Sequence, residues 1–179
     1  MLRMYRFTSV KAVLLPAVLL AFAEPPTTTF VETQETAREI LDEALAEAER
    51  TDRLVFLHSG APWCGWCKRL ERWLERDDIT PIFLKDFVPV KVDVQEMIGG
   101  QQLMDSYTEG SAGLPWLAIL NPDGSVVVNS IAPNGRNIGS PIDEWEIDHW
   151  NTMMRSAAKR ITEEEILYMA ETWAEDRRR

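Results

Sequence analysis

The sequence has 179 residues, of which 45% are hydrophobic and 27% charged, a composition typical of a globular protein rather than a disordered or fibrous one. Its formal net charge is −10, which disfavours a nucleic-acid partner, because binding to phosphates depends on clustered lysine and arginine. The length suits one compact domain with modest extensions.

Residues 1–23 have the pattern of a secretory signal peptide. Basic residues come first, residues 12–23 are uncharged and apolar, and the segment ends in Ala21-Phe22-Ala23, an A-x-A cleavage pattern. An uncleaved membrane anchor is the alternative, but the apolar run is well short of the roughly 20 residues that a spanning helix needs. We therefore expect export to the periplasm or cell envelope, with no stable membrane span after cleavage.

Hydrophobic patterns predict the order of the elements that follow. Residues 24–32 form a linker, and over 33–50 apolar residues recur at helical spacing, with Thr36 and Glu39 placed to form a capping box. The apolar run Leu54–Leu57 is typical of a strand buried on both faces. The other predicted elements are a helix from Cys64 to about Arg76, a strand over 87–94, a short helix around Leu103 and Tyr107, strands over 116–120 and 125–130 joined by the turn Asn121-Pro122-Asp123-Gly124, a helix from Ser140-Pro141 to about Lys159, and a last helix opened by a Thr162–Glu165 capping box.

This order of elements predicts an α/β fold. A strand–helix–strand opening followed by an antiparallel hairpin gives a mixed central sheet flanked by helices on both faces.

The sequence has two cysteines, Cys64 and Cys67, separated by Gly65 and Trp66. A disulfide between them closes a tiny loop and stabilises the fold little, so the spacing indicates chemistry rather than a structural bridge. Cys64 stands where a strand ends and a helix begins, and a helix N-terminus stabilises a thiolate. Cys64 is therefore the expected nucleophile that forms a mixed disulfide, and Cys67 is the thiol that resolves it.

A zinc site is the alternative use of a C-x-x-C pair. A structural zinc ion takes four ligands, and beyond the two cysteines only His58 and His149 remain as soft ligands. We therefore expect no metal and no bound cofactor. His149 lies at helical spacing from Trp145 and Met153, which favours packing over catalysis.

The segment Trp63-Cys64-Gly65-Trp66-Cys67-Lys68 resembles the W-C-G-x-C-K motif of the thioredoxin family, and Leu114-Pro115, just before a predicted strand, resembles that family's cis-proline segment. The resemblance covers roughly residues 31–158. It implies a thioredoxin fold for residues 33–160, with an extra C-terminal helix in residues 161–179.

The resemblance also implies roles for single residues. Cys64 attacks, Cys67 resolves, and Pro115 is cis and exposes the backbone beside it to an extended substrate segment. The residues implied to contact substrate are Trp63, Trp66, Leu114 and Trp116. For Trp63 and Trp116, ordinary packing is the alternative. Lys91 is implied to lie near the cysteines, with plain solvation as its alternative.

Two positions depart from the family pattern. Thioredoxins place a buried acidic residue six positions before the first cysteine, where this chain has His58. Either this imidazole accepts the proton of Cys67 near neutral pH, or it is a histidine satisfied at a strand end. Trp66 replaces the proline common between the cysteines of reducing thioredoxins, so the direction of electron flow stays open.

These features predict a thiol–disulfide oxidoreductase that exchanges disulfides with exported proteins and depends on an unidentified redox partner. The sequence has no large helical insertion before Pro115, which favours a reductase or isomerase over an oxidase. The alternative is a binding or chaperone-like module without turnover, with the last helix and its Trp173 as the docking element.

Overall fold

The computed structural model describes residues 35–108 and 112–176. The predicted signal peptide and linker lie outside these ranges. Within them, none of the helices combines the length and the apolar character that crossing a membrane requires.

Within the described ranges, the strands form a four-stranded mixed sheet at the centre of the fold. They are β1 (Leu54–Gly60), β2 (Phe87–Asp93), β3 (Leu117–Leu120) and β4 (Val126–Asn129). Their order across the sheet is β2-β1-β3-β4. β1 runs parallel to β2 and antiparallel to β3, and β4 is antiparallel to β3. The predicted mixed sheet is confirmed.

Helices cover both faces of this sheet. They are α1 (Ala37–Thr51), α2 (Gly65–Leu74), α3 (Thr80–Phe83), α4 (Gly100–Asp105), α5 (Glu144–Ala157) and α6 (Glu163–Asp176). α1 and α4 contribute to a hydrophobic core on one face, and α2, α3, α5 and α6 contribute to a core on the other face.

Strand β1 divides the two cores because its side chains alternate between the faces. Leu54 and Phe56 enter the core beneath α2, α5 and α6, whereas Val55 and Leu57 enter the core beneath α1 and α4. Every residue of β1 is buried, which confirms the predicted strand with both faces covered.

Local sequence signals set the starts of α1 and α6. Thr36 Oγ1 accepts a hydrogen bond from the Glu39 N–H at 3.2 Å, and the Glu39 carboxylate accepts one from the Thr36 N–H at 2.8 Å. Thr162 and Glu165 exchange the same pair of bonds before α6. Both predicted capping boxes are confirmed.

The predicted end of β1 is wrong. The strand continues past Leu57 to Gly60, because Ser59 and Gly60 still pair with β2, opposite Val92 and Asp93. Ser59 and Gly60 are small, so hydrophobic patterning does not show that the strand includes them. Their backbone hydrogen bonds come from both sides: the Ser59 N–H donates to the Trp116 carbonyl oxygen, and the Gly60 carbonyl oxygen accepts from the Val94 N–H.

The predicted start of α5 is also wrong. The helix begins at Glu144, not at Pro141, with Asp143 as its N-cap residue. The Glu146 carboxylate accepts a hydrogen bond from the Asp143 N–H at 3.0 Å, which is one half of a capping box. Residues 140–143 therefore form a loop that leads into the helix.

Helix α6 packs into the core through Trp173. The indole of Trp173 stacks on that of Trp73, with 4.1 Å between ring centroids, and Trp73 Nε1 donates a hydrogen bond to Thr172 Oγ1 at 2.9 Å. The side chain of Trp173 has no exposed surface. Trp173 is therefore a core residue, as its place on the apolar face of the last helix predicts. The docking role that the binding-module alternative gives to Trp173 is wrong, because the protein's own core covers it.

Candidate active site

Cys64 and Cys67 form a disulfide at the start of α2. Cys64 is the N-cap residue of the helix, and its Sγ accepts a hydrogen bond from the Cys67 N–H at 3.1 Å. This N–H and the positive end of the helix dipole stabilise negative charge on the Cys64 sulfur. Once the disulfide is reduced, the geometry therefore favours the thiolate of Cys64.

The Leu114-Pro115 segment lies beside the cysteine pair. Cys64 and Cys67 are only 3% and 1% exposed, and they form a small apolar cluster with Ala61 against which Leu114 packs. The peptide bond between Leu114 and Pro115 is cis, the isomer that the resemblance implies. The tertiary fold thus brings together two motifs that are far apart in the sequence.

Ser59 fixes this segment to the end of β1. The Ser59 N–H donates to the Trp116 carbonyl oxygen at 2.9 Å, and the Trp116 N–H donates to Ser59 Oγ at 2.8 Å. Ser59 is buried, so neither group exchanges these bonds for water. The residue after Pro115 is therefore held in a defined position relative to the cysteine helix.

Two exposed tryptophans flank the cysteines. Trp63 is 70% exposed and donates a hydrogen bond from Nε1 to Gln95 Oε1 at 2.9 Å, and Trp66 is 50% exposed. Trp63 borders a cavity of about 380 Å³, the Trp63 cleft, and Trp66 borders one of about 340 Å³, the Trp66 cleft. Gly113 and Leu114 line both clefts, so the two clefts adjoin at the segment that precedes Pro115.

Trp116 differs from these two tryptophans because it is only 2% exposed and belongs to the core beneath α1 and α4. Its indole lies 6.5 Å from the Tyr107 ring, and Trp116 is one of the residues that line the Trp63 cleft. The packing interpretation accounts for most of its surface.

His58 lies on β1 in register with Lys91 of β2, and it is 4% exposed. Burial lowers the pKa of His58 to about 4; the nearby Glu71 carboxylate opposes this shift and Lys91 adds to it. The imidazole is therefore neutral at physiological pH. Its Nδ1 atom is buried without a hydrogen-bond partner in the described part of the chain, which is unusual for a buried polar atom.

Glu71 of α2 and Lys91 form an ion pair near Cys67, with Lys91 Nζ 2.7 Å from Glu71 Oε1. A Cβ atom added to Gly60 would lie 3.3 Å from Lys91 Cε, 3.6 Å from Cys67 Cβ and 3.7 Å from Glu71 Oε1. The missing side chain of Gly60 thus leaves room for all three groups. Lys91 lies near the cysteines, as the resemblance implies, although its side chain is 45% exposed.

Sequence reasoning missed Glu71 and Arg69. Glu71 follows Cys67 by four residues, a spacing that places both on one side of a helix and that is visible in the sequence. Arg69 Nη1 donates to the carbonyl oxygen and Oγ of Ser140, at 3.1 and 2.9 Å, across 71 residues of sequence. No local pattern predicts a contact of that range.

His149 lies apart from these groups, with its Nε2 atom 3.0 Å from the Asn129 carbonyl oxygen. Across residues 35–108 and 112–176, no three His, Cys, Asp or Glu side chains are grouped so that they could hold a metal ion.

Comparisons with known proteins agree with this fold. Residues 36–122 match the family model described as thioredoxin-like. The chain is similar to the disulphide isomerase from Xylella fastidiosa Temecula1, with 21% sequence identity, coverage of 83% of this chain and 95% of that chain, and a TM-score of 0.50. A putative disulphide-isomerase from Bacteroides thetaiotaomicron shares 30% identity over 57% of this chain and 84% of its own, with a TM-score of 0.42. No curated protein sequence gives a significant match.

The observed architecture and the family match confirm the predicted thioredoxin fold. Residues 36–122 belong to the thioredoxin-like family, and the Cys64–Cys67 pair at the start of α2 makes the chain a thioredoxin-like thiol–disulfide oxidoreductase.

Proposed function

We propose that the protein reduces or isomerises disulfides of exported proteins through Cys64 and Cys67. The observation that carries the proposal is the Cys64–Cys67 disulfide at a helix N-terminus, with Leu114 packed against it and Trp63 and Trp66 exposed beside it. An extended polypeptide has room to lie across Leu114 between the two tryptophans, which brings its disulfide to Cys64.

In the reducing direction, the Cys64 thiolate attacks one sulfur of the substrate disulfide. A Cys64–substrate bond forms, the substrate S–S bond breaks, and the other substrate sulfur leaves as a thiolate. Cys67 then loses its proton and attacks Cys64, which forms the Cys64–Cys67 bond and releases the second substrate sulfur. The substrate gains two electrons and the enzyme loses two, so a thiol donor must reduce the pair before the next cycle.

His58 is the proposed acceptor in the second step. Its imidazole is neutral and lies near Glu71, one helical turn after Cys67, and its Nδ1 has no hydrogen-bond partner among the described residues. The ring is therefore proposed to take up, transiently, the proton that Cys67 loses. We predict that His58→Ala slows release of the mixed disulfide, measured by quenched-flow trapping, and spares alkylation of Cys64. If release is as fast as in the parent protein from pH 6 to 8, His58 has no role in this step.

Reduction or isomerisation is preferred over oxidation because the described residues between α2 and Pro115 hold only the short helices α3 and α4. Export is proposed from the N-terminal pattern alone. It is consistent with the proposed activity, because disulfide substrates persist in exported compartments.

The test combines a redox titration of the full chain with two cysteine variants. The parent protein is equilibrated in glutathione buffers and its thiols are trapped for mass spectrometry. A two-electron transition near about −270 mV supports a reductase, and one near about −120 mV indicates an oxidant instead. With a protein disulfide substrate, Cys67→Ser should accumulate the mixed disulfide and Cys64→Ser should form none. A parent protein that never cycles would leave the binding module without turnover as the remaining interpretation.

A further inference from the structure

The loop over residues 137–142 is held against Pro115 by its own side chains. Asn137 Nδ2 donates a hydrogen bond to the Pro115 carbonyl oxygen at 2.9 Å, and Asn137 Oδ1 accepts one from the Gly139 N–H at 3.1 Å. Gly139 has a φ of +54°, and a Cβ atom there would lie 3.5 Å from Pro115 Cδ. The close approach and the left-handed backbone both favour glycine at this position.

Arg69 holds the other end of the same loop. Its Nη1 atom donates to the Ser140 carbonyl oxygen at 3.1 Å, to Ser140 Oγ at 2.9 Å and to the Pro141 carbonyl oxygen at 2.8 Å. Hydrogen bonds from a guanidinium are charge-assisted and stronger than those between neutral groups. Arg69 therefore ties the loop to α2, the helix that begins at the cysteines.

Two aromatic rings lie near the guanidinium of Arg69. Arg69 Cζ lies 4.9 Å from the centre of the buried Trp173 ring and 6.0 Å from that of the exposed Trp66 ring. Both distances fall within the range of cation–π contacts. Trp173 is fully buried and so provides a fixed contact in the core. The side chain of Arg69 therefore links the core, the cysteine helix and the loop.

The loop and Trp66 both line the Trp66 cleft. The apolar part of the cleft comes from Trp66, Leu114, Pro115, Ile138 and Ile142. Its volume of about 340 Å³ is large enough for one apolar side chain of a polypeptide. The position of Ile138 and Ile142 relative to Trp66 depends on the bonds that Arg69 and Asn137 make.

We propose that Arg69 is a positioning residue that holds the 137–142 loop as one wall of the Trp66 cleft, and that this cleft takes an apolar side chain next to the reacting cysteine of a polypeptide substrate. The inference rests on the proposed function and adds a substrate preference to it. Oxidised glutathione has no apolar side chain beside its disulfide, so it does not use the cleft.

The experiment compares two substrates with the full-length parent protein and Arg69→Met. One is a peptide disulfide with phenylalanine next to cysteine, and the other is oxidised glutathione. We expect Arg69→Met to raise KM for the peptide about tenfold relative to KM for glutathione, with a smaller change in kcat, because the loss of charge-assisted bonds frees the loop. Arg69→Lys, which keeps the charge but not the planar fork, should recover part of the effect.

Arg72→Met is the matched control, because Arg72 lies on the exposed side of the same helix, and it should leave both KM values as in the parent protein. Asn137→Ala removes the other attachment of the loop and should cause the same selective rise in KM for the peptide. If circular dichroism shows that Arg69→Met does not fold, Asn137→Ala tests the proposal in its place. Equal effects of a folded variant on both substrates, or none on either, would overturn the proposal. Failure of the parent protein to turn over glutathione as well as the peptide would instead count against the proposed function.

Discussion

His58 shows how one substitution changes the chemistry available beneath the cysteines. A carboxylate at this position would share the site with Glu71 and add a second negative charge beside it. The neutral imidazole avoids that repulsion, and the ion pair of Glu71 with Lys91 supplies the local charges instead. The site near Cys67 therefore holds a different set of polar groups from the one that the family motif implies.

Because folding buries His58, its protonation should couple stability to pH. The unfolded histidine binds a proton near its ordinary pKa of 6.5, whereas the folded one does so only near a pKa of about 4. The unfolded state therefore gains protons first as the pH falls. We expect the free energy of unfolding to decrease from pH 7 towards pH 4, by up to about 3 kcal/mol from this residue.

Urea denaturation at closely spaced pH values measures this slope. His58→Leu should flatten the curve between pH 6.5 and 5, whatever its effect on absolute stability. The matched comparison is His149→Gln, which removes the other histidine of the chain. A slope that persists in His58→Leu would show that His58 is not the group responsible.

At the scale of elements, α6 is part of the hydrophobic core and supports the candidate site. Trp173 packs against Trp73 and Trp150, with centroid distances of 4.1 and 5.6 Å, and it carries the guanidinium of Arg69 on its ring. The sequence analysis treats α6 as a C-terminal extension, but in the structure α6 packs directly against α2, the helix that begins at the cysteines.

We predict that Trp173→Ala lowers the free energy of unfolding by about 3–5 kcal/mol, the usual cost of removing a buried tryptophan. Guanidinium denaturation followed by circular dichroism measures the change. Leu167→Ala, on the exposed side of α6, is the control and should stay within about 0.5 kcal/mol of the parent protein. A Trp173→Ala protein as stable as this control would mean that α6 does not contribute to the core.

At the scale of the whole molecule, two hydrophobic cores share one sheet. Alternate residues of β1 and β3 enter one core, and the residues between them enter the other. Both cores therefore depend on the same two strands. This arrangement favours cooperative unfolding of residues 35–176 as a single unit.

Variants on opposite faces test this cooperativity. Leu41→Ala removes a buried side chain beneath α1, and Met153→Ala removes one beneath α5. Each should lower the midpoint of one common transition, seen alike by tryptophan fluorescence and by far-ultraviolet circular dichroism, at a cost of about 2–5 kcal/mol. If the two probes separate in either variant, the faces unfold independently.

The sequence by itself determined the features that neighbouring residues encode. Capping boxes close within three residues, as Thr36–Glu39 shows, and the cysteine spacing places Cys64 and Cys67 within one turn of a helix. The strands of the sheet followed from apolar runs, and the family motif located Pro115. Each of these signals depends on hydrogen bonds or on a periodicity of side chains that spans only a few positions, so the corresponding features can be predicted from the sequence.

Only the tertiary structure decided the contacts that join distant segments. It extended β1 to Gly60 by pairing with β2, moved the start of α5 to Glu144, stacked Trp173 on Trp73, and joined Arg69 to Ser140. It also set the charge state of His58, because desolvation depends on everything packed around the ring. These features depend on which surfaces of the protein contact each other in three dimensions. No local periodicity or spacing in the sequence predicts such contacts.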